Sequence, residues 1–304
     1  MTPAVFDRRA VRQHRNRAAL RLSEHDFLFR EVAQHLAERL DDVNRDFHVT
    51  LELGAHGDTL TEHLAGRNGI EKLVRCDQSA PMVTHGQPAS CVVADEEWLP
   101  YAPASFDLIV SSLSLHWVND LPGALVQIRR ALKPDGLFIG ALFGRATLGE
   151  LREVLVEAEL AECGGAGPRV SPFVDVRDAG GLLQRAGFAL PVVDTDTITV
   201  SYTSALDLMR DVRGMGESNA VAERRRNFTR RSTLLRAAAI YADRYADEEH
   251  RIPATFQIVT LTGWAPHEAQ PRPLRPGSAA RRLSEALETA ELSGGEKASP
   301  RRSH

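Results

Sequence analysis

Long apolar runs are missing from this chain of 304 residues: no stretch approaches the roughly 18 residues of a membrane-crossing helix, so no helical span is expected. Cysteine is scarce. The three present, Cys76, Cys91 and Cys163, are odd in number and lack the close pairing of a zinc site or disulfide framework. That usage points to a reducing compartment, with the cytosol as the default, and no metal site is expected. A strong charge of either sign is also absent, since 37 Lys and Arg against 41 Asp and Glu leave a net charge of -4. A nucleic-acid partner is therefore not expected. The basic N-terminal segment has no apolar stretch behind it of the kind a secretory signal carries.

What the chain does contain is organised around Val49-Thr50-Leu51-Glu52-Leu53-Gly54, followed by Ala55-His56-Gly57-Asp58 and the helical stretch from Thr59 to Leu64. An apolar run, an acid near its end, a glycine and an amphipathic helix read as the first β-turn-α unit of a nucleotide-binding sheet. In such a sheet the ligand lies over the carboxyl ends of the strands, where glycine allows backbone to approach it. A second strand ends on Asp77, near the roughly 20-residue offset at which an acid meets ribose hydroxyls. A third, Cys91 to Ala94, ends on Asp95 and Glu96; a fourth, Ser105 to Ser112, contains Ser111 and runs into His116 and Trp117. A helix from about 121 to 132 is expected to stop at the turn Lys133-Pro134-Asp135-Gly136, with a fifth strand from 137 to 143. Later segments read as helices near 147–161 and 176–186, a strand at 191–200 and a last strand at 255–262.

This alternation predicts an α/β fold, a doubly wound and mostly parallel sheet. The motifs Glu52-Leu53-Gly54, Asp77, Ala94-Asp95-Glu96, Phe106 to Val110 and Leu132 to Gly136 resemble class I methyltransferases that use S-adenosylmethionine. That resemblance implies a Rossmann-like sheet of seven strands, the last antiparallel. Blocks such as Asp95 to Pro100, Val110 to Pro122, Gly214 to Asn219 and Pro253 to Ile258 resemble one subgroup more closely. It is the complex I assembly factor described as a protein arginine hydroxylase, with its bacterial relatives. The methyltransferases that esterify malonyl-acyl carrier protein are a more distant match. The expected organisation is an N-terminal helical arm over 1–44, a methyltransferase-like domain over 45–265 with a helical cap inserted at about 201–250, and a disordered tail over 266–304.

The resemblance assigns the cofactor S-adenosyl-L-methionine to Glu52, Gly54, Asp77, Asp95, Glu96 and Ser111. Glu52 would meet its ammonium, Asp77 its ribose and Asp95 its adenine amine. His116 is the candidate general base, because its ordinary pKa lies near neutrality, and Trp117 the candidate substrate wall or cation platform. The pattern departs from the family at the turn, where His56 and Asp58 stand in the places of two glycines; either His56 crowds the methionine portion or Gly57, displaced by one, rescues the turn. His56 and Asp58 with His116 could also imitate an iron triad, a reading set aside as coincidence among 11 histidines. The Asn-Pro-Pro-Tyr motif of amide and adenine methyltransferases is missing, which tilts methyl transfer toward oxygen or guanidinium acceptors. Three functions follow: methyl transfer to a protein or small acceptor, arginine hydroxylation and assembly on a subunit of NADH dehydrogenase, or a chaperone that has lost catalysis. The arginine-rich segment 6–21 reads as a solvated helix laid across the domain, and the arginines at 224–231 as a solvated helix face.

Overall fold

Strands β1 (Val49–Leu53), β2 (Lys72–Asp77), β4 (Phe106–Ser112) and the second half of β5 (Leu132–Phe143) carry few exposed residues, as strands covered on both faces must. With β3 (Ser90–Val93), β6 (Ala189–Tyr202) and β7 (Ile252–Trp264) they form one seven-stranded sheet in the order β3-β2-β1-β4-β5-β7-β6. All neighbours from β3 to β5 pair in parallel, and β7 runs antiparallel to both β5 and β6. This is the sheet the resemblance implied. The computed structural model describes residues 4–86, 90–173, 175–271, 285 and 288–289. The tail expected beyond 266 therefore falls mostly outside the described residues.

Helices cover both faces of the sheet, because parallel neighbours need crossovers. One face is packed by α2 (Phe27–Asp41), which places Leu28, Phe29, Val32, Leu36 and Leu40 on a buried stripe. α3 (Thr59–Leu64), the short α4 (Ala80–Val83) through Met82, α6 (Gly149–Cys163) and α9 (Arg231–Tyr245) belong to the same core. The other face is covered by α5 (Leu121–Ala131) and α7 (Val176–Ala186), whose Leu125, Ile128 and Leu183 pack on Leu51, Leu53 and Ile109. Each such buried aliphatic side chain contributes about 1.5–3 kcal/mol of burial. Residues Met1–His267 form one body, so the N-terminal helices are part of it.

The expected turn at 133–136 takes a different form. α5 ends at Ala131, and β5 begins at Leu132, which pairs with Phe106. The register then jumps, with Leu108 opposite Leu137, and Asp135 adopts φ +61°. Proline and glycine here make a bulge inside a strand rather than a turn ahead of one. Lys133 pins it by reaching Asp107 at 2.8 Å. In the expected cap, α8 (Ala205–Gly214) leads into a loop that returns to the strand ends, whereas α9 lies against α6 and bonds β7 through Tyr241 Oη to Pro253 O at 2.8 Å. The arginines at 224–230 precede α9 rather than lining a helix, and Arg224 binds Asp7 at 3.0 Å.

Register decides what meets at the carboxyl edge. Leu53 lies opposite Cys76, so Gly54 and Asp77 emerge side by side, and the Gly54 amide donates to Cys76 O at 2.7 Å. Asp77 lies opposite Val93, which brings Asp95 and Glu96 to the same edge.

Candidate functional site

Helix α1 (Arg8–Ala18) opens with Asp7 as its cap, whose carboxylate accepts the Ala10 amide at 3.1 Å. Arg8 and Arg15 stand two turns apart on it, hence on one face. That face lies over the carboxyl ends of the strands. Arg15, fully buried, donates to Asp77 Oδ2 at 2.5 Å, Glu96 Oε1 at 2.9 Å and Ser114 Oγ at 3.0 Å. Arg8 donates to Asp95 Oδ1 at 2.6 Å and also binds Glu96 Oε2. Ser114 in turn donates to Glu96 Oε1 at 2.5 Å. Gly54 holds φ +80°, and a side chain there would collide with Ser114 and come within 3.6 Å of Glu96. The segment expected to be a solvated helix is thus a plug of two guanidinium groups over three acids.

Burial pushes the carboxyl groups of Asp77 and Glu96 upward, and the two oppose each other's charge. For Glu96 the Arg15 and Arg8 guanidinium groups and the Ser114 hydroxyl outweigh burial and hold it below the ordinary carboxylate range. Asp77 stays above its ordinary value, so the pair ionises as a unit. Burial also disfavours the charge on Arg15, yet Asp77 and Glu96 more than compensate and raise its affinity for the proton.

Beside this network lies a second buried group. Glu217, on the loop after α8, accepts through Oε2 from His116 Nε2 at 2.9 Å and from Trp117 Nε1 at 2.8 Å. His116 lies on a 3₁₀ turn after β4 and touches the rings of Trp117, Phe143 and Phe173. Its Nδ1 and the other oxygen of Glu217 are buried without a protein partner. Burial raises the Glu217 carboxyl, and His116 together with Arg15 brings it below its usual value. Trp117 packs edge-on against Phe6, ring centres 5.4 Å apart, so α1 roofs this group as well.

His56 does not stand free above the turn. Its ring stacks on Phe29 at 4.0 Å and its Nε2 donates to Leu113 O at 3.0 Å. Burial, then the Arg15 charge, drives its pKa down to about 3, so it is neutral. Gly57 supplies the second left-handed position at φ +60°, one place away from the family's glycine. Asp58 is held by Arg75 at 3.1 Å, which removes it from any iron triad. Among the described residues no group of His, Cys, Asp and Glu could hold a metal.

A profile for a methyltransferase domain matches residues 51–140. The mitochondrial arginine-hydroxylase NDUFAF5 of Danio rerio is 46% identical over 281 residues, 90% of this chain and 87% of that protein. The chain belongs to the NDUFAF5 arginine-hydroxylase family. A malonyl-[acyl-carrier protein] O-methyltransferase of Xylella fastidiosa is 33% identical, over 86% of this chain and 89% of that protein. The solved YcgJ protein of Bacillus subtilis shares the fold, with a TM-score of 0.54 at 14% identity over 76% of this chain and 98% of that one. This is a family of enzymes on the methyltransferase fold, and no helix of this member among the described residues is long and apolar enough to cross a membrane.

Within this family member, Gly54, Asp77, Asp95 and Glu96 are brought together as their positions at successive strand ends required. Glu52 is set back: one oxygen accepts from Thr61 at 2.7 Å and lies 3.3 Å from Arg75, while the other is buried without a partner. Ser111 is buried with its hydroxyl unpartnered. Arg8, Arg15 and Ser114 were not singled out as site residues in the sequence, and Glu217 was seen only as part of the Gly214 to Asn219 block. The heptad spacing of Arg8 and Arg15 was visible, and three acids converging on one cleft needed a counter-charge. Glu217 sits in an irregular loop with no period to betray it.

Proposed function

We propose that this chain binds S-adenosyl-L-methionine over the carboxyl ends of β1, β2 and β3 and modifies an arginine side chain of a protein partner, by hydroxylation. The observation that carries the acceptor is the 46% identity, over 90% of the chain, to a relative named an arginine hydroxylase. Trp117 offers an aromatic wall to a cation, and Glu217 fixes both that wall and His116. His116, oriented through Nε2, presents Nδ1 as the atom that takes or returns a proton.

The residues present fit the cofactor. A glycine with a left-handed turn, an unpartnered buried oxygen on Glu52, and acids at successive strand ends form the donor set that its ammonium, ribose and adenine require. Asp77 would hold the ribose and Asp95 with Glu96 the adenine side; Ser111 lies behind them in β4. Bound there, the cofactor would supply an activated methyl group, which serves the methyl-transfer reading; hydroxylation replaces a C–H bond of the arginine by C–OH, a two-electron oxidation that would draw on dioxygen and an external two-electron reductant, the second oxygen atom leaving as water. We assign the working unit to residues 45–265, with the 1–44 arm and the 201–250 insertion contributing Arg15 and Glu217.

The partner we infer is a subunit of respiratory NADH dehydrogenase, following the subgroup the chain resembles. The relative at 46% identity is mitochondrial, and three unbridged cysteines suit a reducing interior, whether matrix or cytosol. Methyl transfer is the second reading, favoured by the match to the O-methyltransferase. Mass spectrometry of the partner subunit after coexpression decides between them. A gain of one oxygen on arginine is expected, lost in Glu217→Gln; a gain of one methyl would establish transfer, and an unmodified partner would sink both.

A further inference from the structure

Arg15 occupies the carboxylates that the proposed cofactor needs. With Arg15 docked, Asp77 and Glu96 are fully buried, so ligand hydroxyl groups reach them only when the guanidinium moves; Asp77 Oδ2 lies 2.5 Å from Arg15 and its Oδ1 accepts the Ser79 amide at 2.6 Å. The space above Gly54 is filled by Ser114, which the same guanidinium fixes. What stays open nearby is a hollow of about 280 Å³ flanked by Arg8, Arg9 and Arg12 on α1 and by Gln78 and Asp95. Neither Asp77 nor Glu96 lines it.

The same helix covers the proposed substrate side. Phe6, Ala10 and Val11 form a small cluster of their own with Trp117, Ala220 and Val221, separate from the two main cores. The attachment of α1 includes that cluster, the arginine contacts, a bridge from Phe6 to Val221, the Phe6 amide donating to Asn119 Oδ1 at 2.8 Å, His14 Nδ1 3.1 Å from Ser218 O, and Asp7, whose amide donates to Ala220 O at 2.8 Å while its carboxylate binds Arg224. Ala18, at the C-terminal end of α1, belongs to the main core with the following Ala19 and Leu22, so the end that can undock is the stretch from Phe6 to Arg15.

We propose that α1 is a latch in cis: docked, its arginines stand in for the cofactor and Phe6 shuts Trp117, and cofactor binding releases both at once. The inference rests on the cofactor reading above. Because one helix closes both places, whatever displaces it for one ligand opens the other, and the two ligands bind with positive coupling. The docked state also lowers apparent cofactor affinity by the fraction of chains that remain latched.

The test uses the full chain in a Trp98→Phe/Trp264→Phe background, so that Trp117 is the only indole, and titrates S-adenosyl-L-methionine by calorimetry and by fluorescence. Arg15→Ala removes the plug; Phe6→Ala loosens α1 without touching an acid and carries the test if Arg15→Ala fails to fold. The expected result is binding at least about tenfold tighter in both variants, with a red shift of Trp117 as the parent saturates. Equal affinity in parent and variants with a silent Trp117 overturns the latch and leaves the cofactor reading standing. Absence of binding in the parent and in both variants overturns the cofactor reading and the latch with it.

Discussion

Two sets of buried and half-buried carboxylates flank the first turn, and each is neutralised by arginine, but from different sources. On one side Glu52 and Asp58 are met by Arg75, a residue of β2 paired in register with Glu52. On the other, Asp77, Asp95 and Glu96 are met by Arg8 and Arg15, which arrive on a helix outside the sheet. Arg75 cannot leave without opening the sheet, and it also ties down the turn by binding Gly57 O and His85 O. Arg15 can leave by undocking one helix. Equal chemistry thus yields a permanent strut in one place and a removable counter-ion in the other.

The comparison breaks first under Arg75→Ala, which strands Glu52 in the interior. We expect urea denaturation to show a loss of about 3–5 kcal/mol, the range for removing one partner of a buried pair. Arg15→Ala is expected to cost less, about 2 kcal/mol, because undocking of α1 lets water reach the acids it exposes. Losses of equal size would erase the distinction between strut and latch.

Acidity sharpens the contrast at His56, which lies between the two sets. Its pKa is about 3 in the fold against an ordinary 6.5, so between those values the unfolded chain takes a proton that the folded chain refuses. Stability conferred by neutral His56 is therefore present above pH 6.5 and lost as the pH falls, at about 1.4 kcal/mol per unit. Glu52, raised by burial to about 7 from 4.5, acts oppositely, its contribution fading as the pH rises through that window. The His56 slope should hence be read as the difference between parent and His56→Gln across pH 4 to 6.5. Identical pH profiles for the two proteins would contradict the buried neutral ring.

Glu217→Gln is the mildest change. It keeps one acceptor for His116 or Trp117 and removes the charge, so a loss of about 1 kcal/mol is expected in thermal unfolding. The larger consequence should appear in modification of the partner. A variant that folds as well and modifies as fast as the parent would show that Glu217 only packs the loop.

The strands at 49–53, 72–77 and 106–112 were legible because each holds a short apolar, β-branched-rich stretch between turn signals, and Asp77, at the end of the second, was legible because chain reversal follows at once. The bulge at 132–136 was not, since proline and glycine mark a departure from regular structure without saying whether it lies before a strand or within it. The role of His56 stayed open for a related reason: its place in the glycine turn was visible, but the ring's stacking on Phe29 depends on α2, an element outside that turn.

By itself, then, the sequence determined the order of strands, the turn glycine and the row of acids, all of them consequences of local periodicity and short-range backbone geometry. Only the tertiary structure decided what those acids meet. Arg15 is separated from Asp77 by 62 positions, and Glu217 from His116 by 101. No pattern within one element encodes such a pairing; it arises when packing removes water from charged groups and leaves each to find its complement among whatever the fold brings near.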